Sequence, residues 1–127
     1  MIFNRIHHTA IIVSDFEKSK DFYVNKLGFE VIGEVDRPER KSKILYLDAN
    51  NAMIELFSFS KPPKRLAWPE ACGLRHLAFE VDNIEETIEK LNKLGIETEP
   101  IRVDLRTGKK MTFFKDPDDL PLEICEK

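Results

Sequence analysis

His8-Thr9-Ala10-Ile11-Ile12-Val13-Ser14-Asp15 returns 68 residues later as His76-Leu77-Ala78-Phe79-Glu80-Val81-Asp82-Asn83. The likeness extends outward from there. Leu27-Gly28-Phe29-Glu30 matches Leu94-Gly95-Ile96-Glu97 at an offset of 67, and Ile54-Glu55-Leu56 matches Leu122-Glu123-Ile124 at 68. His8 and Glu55 stand 47 residues apart, and so do His76 and Glu123. Self-similarity at a fixed spacing marks a repeated supersecondary unit. The 127 residues therefore divide into a module at about 1–60, a linker at about 61–74 and a second module at about 75–127, within one domain of ordinary size.

Each half reads as strand, helix, then three strands. His8–Val13 is rich in β-branched residues, and Ser14 with Glu17 three residues later predicts a capped helix start. Phe16, Ser19, Phe22 (or Tyr23) and Leu27 recur at helical spacing, and Gly28 suits the left-handed residue that ends a helix. The second half repeats the device with Asp82, Glu85, the stripe Ile84, Ile88, Leu91 and Leu94, and then Gly95. Further strands are predicted at 29–35, 43–47 and 52–59, and at 97–101, 110–115 and 122–126. The fold class is α+β, two tandem βαβββ modules.

Composition narrows the function. At 42% hydrophobic the chain can bury a core, and at 34% charged it is no membrane protein. Lys+Arg at 20 against Asp+Glu at 23 gives a net charge of −3, which disfavours nucleic acid and acidic membrane surfaces as partners. Cys72 and Cys125 make no disulfide framework, and nothing at the N-terminus reads as a signal peptide. The expectation is a reduced, cytoplasmic, soluble domain.

Strand parity then places the repeated His and Glu residues. Ile11 and Val13 share one face of the first strand, leaving His8, Ala10 and Ile12 on the other. Glu55 lies between Ile54 and Leu56, and Glu123 between Leu122 and Ile124, each on the face opposite its apolar neighbours. Packing the bulky apolar sets against the helices turns His8, Glu55, His76 and Glu123 towards a common concave side, with the small Ala10 and Ala78 leaving room. Two imidazoles and two carboxylates suit Zn, Ni, Mn or Fe(II), with open positions for water or substrate. Such an ion polarises a carbonyl or enolate oxygen while a Glu moves protons between adjacent carbons. His7 has the wrong parity for a ligand, and Arg75 stands where its counterpart would be. It reads as a supporting residue.

At these residues the sequence resembles the vicinal oxygen chelate superfamily, the glyoxalase I, bleomycin-resistance and extradiol dioxygenase fold. The resemblance spans essentially the whole chain. It rests on His8-Thr-Ala-Ile-Ile-Val, Phe22-Tyr-Val-Asn-Lys-Leu-Gly-Phe, Met53-Ile-Glu-Leu-Phe, Gly73-Leu-Arg-His-Leu-Ala-Phe-Glu-Val-Asp and Phe114-Lys-Asp-Pro-Asp-Asp-Leu-Pro-Leu-Glu. The family usually has Gly after Asp-Pro-Asp, where this chain has Asp119. The resemblance implies a half-open mixed β-barrel with helices outside, built around one divalent ion held by His8, Glu55, His76 and Glu123. The full His/Glu/His/Glu set looks like bacterial-type glyoxalase I. There, the two glutamates shuttle a proton across the hemithioacetal of methylglyoxal and a thiol such as glutathione. By transfer, Glu123 and Glu55 form the acid/base pair, with Glu123 the leading residue and Zn or Ni the leading ions. Homodimers are common in the family, and the halves of one site can come from one chain or from two.

Other features carry two readings each. Arg102, Arg106, Lys109 and Lys110 surround one predicted turn. They read first as a solvated loop and second as a holder for an anionic substrate group. Arg37 and Arg40 read the same way. Phe57 and Cys125 share the parity of Glu55 and Glu123 and serve as pocket wall or plain packing. Other functions that the resemblance allows are a different isomerase or epimerase, an Fe(II) ring-cleaving dioxygenase, and a metal-free small-molecule binder.

Overall fold

The strand that opens each module pairs in parallel with the strand that closes it. The computed structural model describes all 127 residues, Met1–Lys127. β1 (His8–Val13) leads through the short helix α1 (Phe16–Lys20) to β2 (Glu30–Arg37), β3 (Ser42–Asp48) and β4 (Met53–Ser58). These four form a mixed sheet in the order β1-β4-β3-β2. β5 (Leu77–Val81), α2 (Ile84–Lys93), β6 (Arg102–Val103), β7 (Lys110–Lys115) and β8 (Pro121–Glu126) repeat the plan in the order β5-β8-β7-β6. A parallel pair needs a crossover connection, and in both modules the helix begins that crossover. The chain divides into two units, Met1–Lys64 and Arg65–Lys127.

Alternation along the strands decides what is buried. In the first unit Ile11, Val13, Ile54 and Leu56 are buried while Ile12 is 58% exposed, and α1 packs on β4. In the second, Leu122 and Ile124 are buried and α2 packs on β8. Each fully buried Leu or Ile contributes about 2 kcal/mol by leaving water. The predicted parity is the observed one.

The first helix differs from the sequence expectation of one regular α-helix. After Lys20 it widens into a π-helical turn over Asp21–Lys26, with the Leu27 amide donating to the Phe22 carbonyl at 2.9 Å. Widening brings two consecutive aromatics inward, so Phe22 and Tyr23 are both buried instead of one or the other. Both caps also lie one residue later than expected. Asp15, not Ser14, accepts from the Lys18 amide, and Asn83, not Asp82, accepts from the Glu86 amide. Each has the extended backbone that a cap requires, since the chain turns helical only after it.

Two further corrections concern the second unit. Leu94 is not on the buried stripe: it has left helical geometry as the C-cap and is 41% exposed. Gly95, at φ +79°, folds the chain back so that the Ile96 amide reaches the Leu91 carbonyl at 3.0 Å and Ile96 is buried in its place. The strand expected at 97–101 is displaced to the two residues Arg102–Val103. Pro100 has no amide hydrogen for a ladder, and the stretch is instead tied to β7 by the Glu99 amide and by the Thr112 hydroxyl. Asp119, in the place of the family's usual glycine, holds the left-handed φ of +64°. The turn survives because the buried Asp116 carboxylate accepts from the Asp118 and Leu120 amides at 2.8 and 2.9 Å.

Candidate metal and proton-transfer site

In each unit the repeated His and Glu meet. β1 and β4 run side by side with Ala10 opposite Glu55 and His8 opposite Met53, which brings the His8 ring alongside the Glu55 carboxylate. His8 Nε2 lies 3.5 Å from Glu55 Oε2. In the second unit Ala78 stands opposite Glu123, and His76 Nε2 lies 2.9 Å from Glu123 Oε2. Both carboxylates are buried, while the imidazoles face outward with side-chain exposures of 42% and 27%. An aromatic residue sits across the antiparallel ladder from each glutamate: Tyr46 from Glu55, and Phe113 from Glu123. Phe113 packs edge-on to the His76 ring at 5.2 Å.

The donor set fits a divalent ion. Ligand bonds of 2.0–2.2 Å at angles between a right angle and the tetrahedral value put two donors about 2.8–3.6 Å apart, which spans both His–Glu separations. Within either unit no third His, Cys, Asp or Glu completes a ligand cluster. Each unit therefore supplies a pair.

The residue before each histidine reaches back to its other ring nitrogen. His7 Nδ1 stands 2.8 Å from His8 Nδ1, and an Arg75 Nη1 lies 3.0 Å from His76 Nδ1. The chemistry differs between them. A histidine partner can accept a proton, so His8 can carry its hydrogen on Nδ1 and keep Nε2 open for an ion. A guanidinium only donates, so His76 Nδ1 accepts and its hydrogen sits on Nε2 towards Glu123. Use of His76 Nε2 as a ligand requires that proton to leave and Arg75 to give up Nδ1. Arg75 is set in place by Arg65, whose Nη2 donates to the Leu74 and Arg75 carbonyls at 2.6 and 3.0 Å.

The sequence reading gives no role to Tyr46, Phe113, Arg75 or Arg65. For the first three a signal existed: Tyr46 and Phe113 match at an offset of 67, and Arg75 precedes His76 as His7 precedes His8. Of the four cations expected around one turn, two have partners of their own. Arg102 lies over the Phe113 ring, 5.4 Å from its centre, and Lys110 pairs with Glu85. Phe57 stacks on Phe59 with Arg37 over its ring at 5.5 Å. Cys125 hydrogen-bonds to the Phe79 carbonyl, and burial followed by the Glu123 charge pushes its thiol above the ordinary value. A shallow depression of about 500 Å³ elsewhere in the first unit, between residues 14–17 and 41–43, includes neither His8 nor Glu55.

Comparison with known proteins identifies the family. The sequence profile of the Glyoxalase/Bleomycin resistance protein/Dioxygenase superfamily matches residues 5–124. The chain belongs to that superfamily. It is 58% identical to the uncharacterised YwkD of Bacillus subtilis over the full length of both. A glyoxalase family protein from Enterococcus faecalis has a crystal structure that superposes with a TM-score of 0.93 at 56% identity, covering 99% of this chain and all of that one. More distant relatives have stated activities. Human mitochondrial methylmalonyl-CoA epimerase is 31% identical, over 91% of this chain and 68% of its own. The lactoylglutathione lyase of Escherichia coli O157:H7 is 28% identical, over 97% and 93%. The superfamily contains metal-dependent lyases and epimerases of small molecules, and a divalent metal is common in it. No helix of this chain is long and apolar enough to cross a membrane.

Proposed function

We propose that this protein is a divalent-metal-dependent, glyoxalase-like enzyme in which His8, Glu55, His76 and Glu123 hold the ion and the two glutamates move protons. The observation that supports it most is the pairing of an outward imidazole with a buried carboxylate at matched positions of both modules. When bound, the ion, Zn or Ni first and Mn or Fe(II) next, supplies polarisation of a substrate carbonyl or enolate oxygen. The chain's own groups do the rest. A Glu123 carboxylate takes the proton from C1 of the hemithioacetal of methylglyoxal and a thiol such as glutathione. That proton is returned at C2 while the hydroxyl proton passes from the oxygen on C1 to the oxygen on C2, leaving a neutral 2-hydroxy thioester, and Glu55 serves the opposite face. His7 orients the His8 imidazole, and Arg75 holds that of His76 while no ion is bound.

A second reading has one specific support, the likeness to methylmalonyl-CoA epimerase. One of the same two carboxylates then removes a proton beside a thioester carbonyl, and the other, protonated, delivers its own proton to the same carbon from the opposite side. The two reactions differ in where the proton goes back, so one protein preparation tests both.

A full ligand set needs a pair of each kind, from one chain or from two copies in a homodimer. Both cysteines are free thiols, in keeping with a cytoplasmic enzyme. The deciding experiment is elemental analysis of wild type, H8A and E123A, then assay of thioester formation from methylglyoxal with several thiols, and of epimerisation of a 2-methylmalonyl thioester. About one divalent ion per site, lost in both variants, with turnover in either assay, is the expected result. No ion after incubation with Zn, Ni, Mn and Fe(II) overturns the proposal and leaves the metal-free binder. Oxygen uptake with catechols instead assigns the dioxygenase. Mixing H8A with H76A subunits restores metal only if the site is shared between chains.

A further inference from the structure

We infer that the substrate carries an oxyanionic group, a carboxylate or a phosphoryl, which the second module binds between Arg75 and Arg102 over the Phe113 ring. The inference rests on the site proposed above and names the kind of molecule it takes. Phe113 is the meeting point: the Arg75 and Arg102 guanidiniums lie 5.9 and 5.4 Å from its ring centre, and the His76 ring packs on it at 5.2 Å. Across the ladder Phe113 faces Glu123. Two permanent cations therefore flank the aromatic floor beside the group assigned to proton transfer.

Both guanidiniums are oriented, not loose. Arg75 Nε donates to Glu70 and Arg102 Nη2 to Glu99, each at 3.0 Å. Each guanidinium has five N–H donors in a rigid fork, so one carboxylate contact, or for Arg75 that contact and His76, leaves donors on both. All four ion-pair partners are about half exposed or more, and such pairs hold geometry more than they contribute energy. An arriving carboxylate or phosphate competes for the same forks with charge-assisted, bidentate bonds.

The repeat makes the arrangement specific. At the matching places the first module has His7 for Arg75, Tyr46 for Phe113 and Val35 for Arg102, the last fixed by the ladders Val35 to Ile44 and Arg102 to Met111. The His–Glu pairs are kept in both modules, whereas the two cations occur in the second alone. A ligand with one charged end and one reacting end fits that division.

The test uses the full chain at constant ionic strength, with malonate and inorganic phosphate as probes and uncharged malonamide as control. Binding is followed by calorimetry and by the Nε–H signals of arginine in NMR spectra. Saturable binding of at least one anion and none of malonamide is expected, weakened about tenfold or more in R75M and in R102M, as for a lost bond to a charged group. R40Q, which removes the same charge from the first module, binds as wild type. Stronger malonate binding assigns a carboxylate-bearing substrate and stronger phosphate binding a phosphoryl-bearing one. No saturable anion binding, or equal binding by wild type and R102M, overturns the inference. Arg102 is half exposed, so R102M decides even if R75M does not fold. Metal content of the same samples separates the two readings: metal without anion binding sinks this inference alone, and anion binding without metal sinks the proposed reaction alone.

Discussion

The two modules keep the same His–Glu pair and differ in what surrounds it. In the first, His8 stands 3.5 Å from Glu55, backed by another histidine and faced by Tyr46. In the second, His76 is at 2.9 Å from Glu123, backed by a guanidinium and faced by Phe113 with a second guanidinium beyond. The lesson is that the repeat keeps the pair itself in place while the residues around it differ. A neighbouring imidazole can accept the hydrogen that the ring carries on Nδ1, whereas a guanidinium can only donate to that nitrogen.

The sharpest way to break this comparison is to remove one carboxylate at a time. E123Q is expected to cut turnover by about 10²–10⁴-fold, the range for a lost general base, and E55Q by a smaller factor. Steady-state rates at verified metal occupancy measure both, and equal losses would make the two halves equivalent in catalysis. Next in size are the cores. Leu56→Ala and Ile124→Ala remove matched residues exposed by only 1% and 3%, and each is expected to cost about 2–5 kcal/mol in urea unfolding. A large inequality would show that the modules do not share their packing.

The neighbours of the histidines give a smaller and more telling contrast. H7A is expected to weaken metal affinity about tenfold, because the ring it supports loses a partner able to take its Nδ1 hydrogen. R75M is expected not to weaken it, since Arg75 opposes an open Nε2 on His76. Competition titration with a chromophoric chelator reads both, and parallel losses would erase the distinction.

The smallest effect is at a turn. The Thr107 and Arg106 amides donate to the Asp104 carboxylate and hold it below the ordinary aspartate range. A lowered folded value stabilises at neutral pH, and that support is lost as pH falls from the ordinary aspartate value through the lowered one. Arg37 occupies the matching place in the first module, so acid is expected to loosen the β6–β7 turn selectively. Amide shifts of Arg106 and Thr107 against pH check this, and D104N abolishes the titration.

Much of this protein is legible in the chain because its signals are local and stated twice. Period-two alternation determines that Ile11, Val13, Ile54 and Leu56 turn inward, and a repeated 47-residue interval picks out His8 with Glu55 and His76 with Glu123. Gly28 and Gly95 mark the helix ends by needing positive φ, which both have. What the chain alone does not determine is decided by hydrogen-bond register and by contacts between separate elements. A π-turn that buries Phe22 and Tyr23 together depends on hydrogen-bond register inside the helix, which the spacing of apolar residues leaves open. The loss of a strand at 97–101 depends on how Pro100 meets β7. Arg75 and Arg102 lie 27 residues apart and meet only on the Phe113 ring. Periodicity reports which way a side chain faces, whereas its neighbours across a sheet are set by register, and register exists only once the strands have paired.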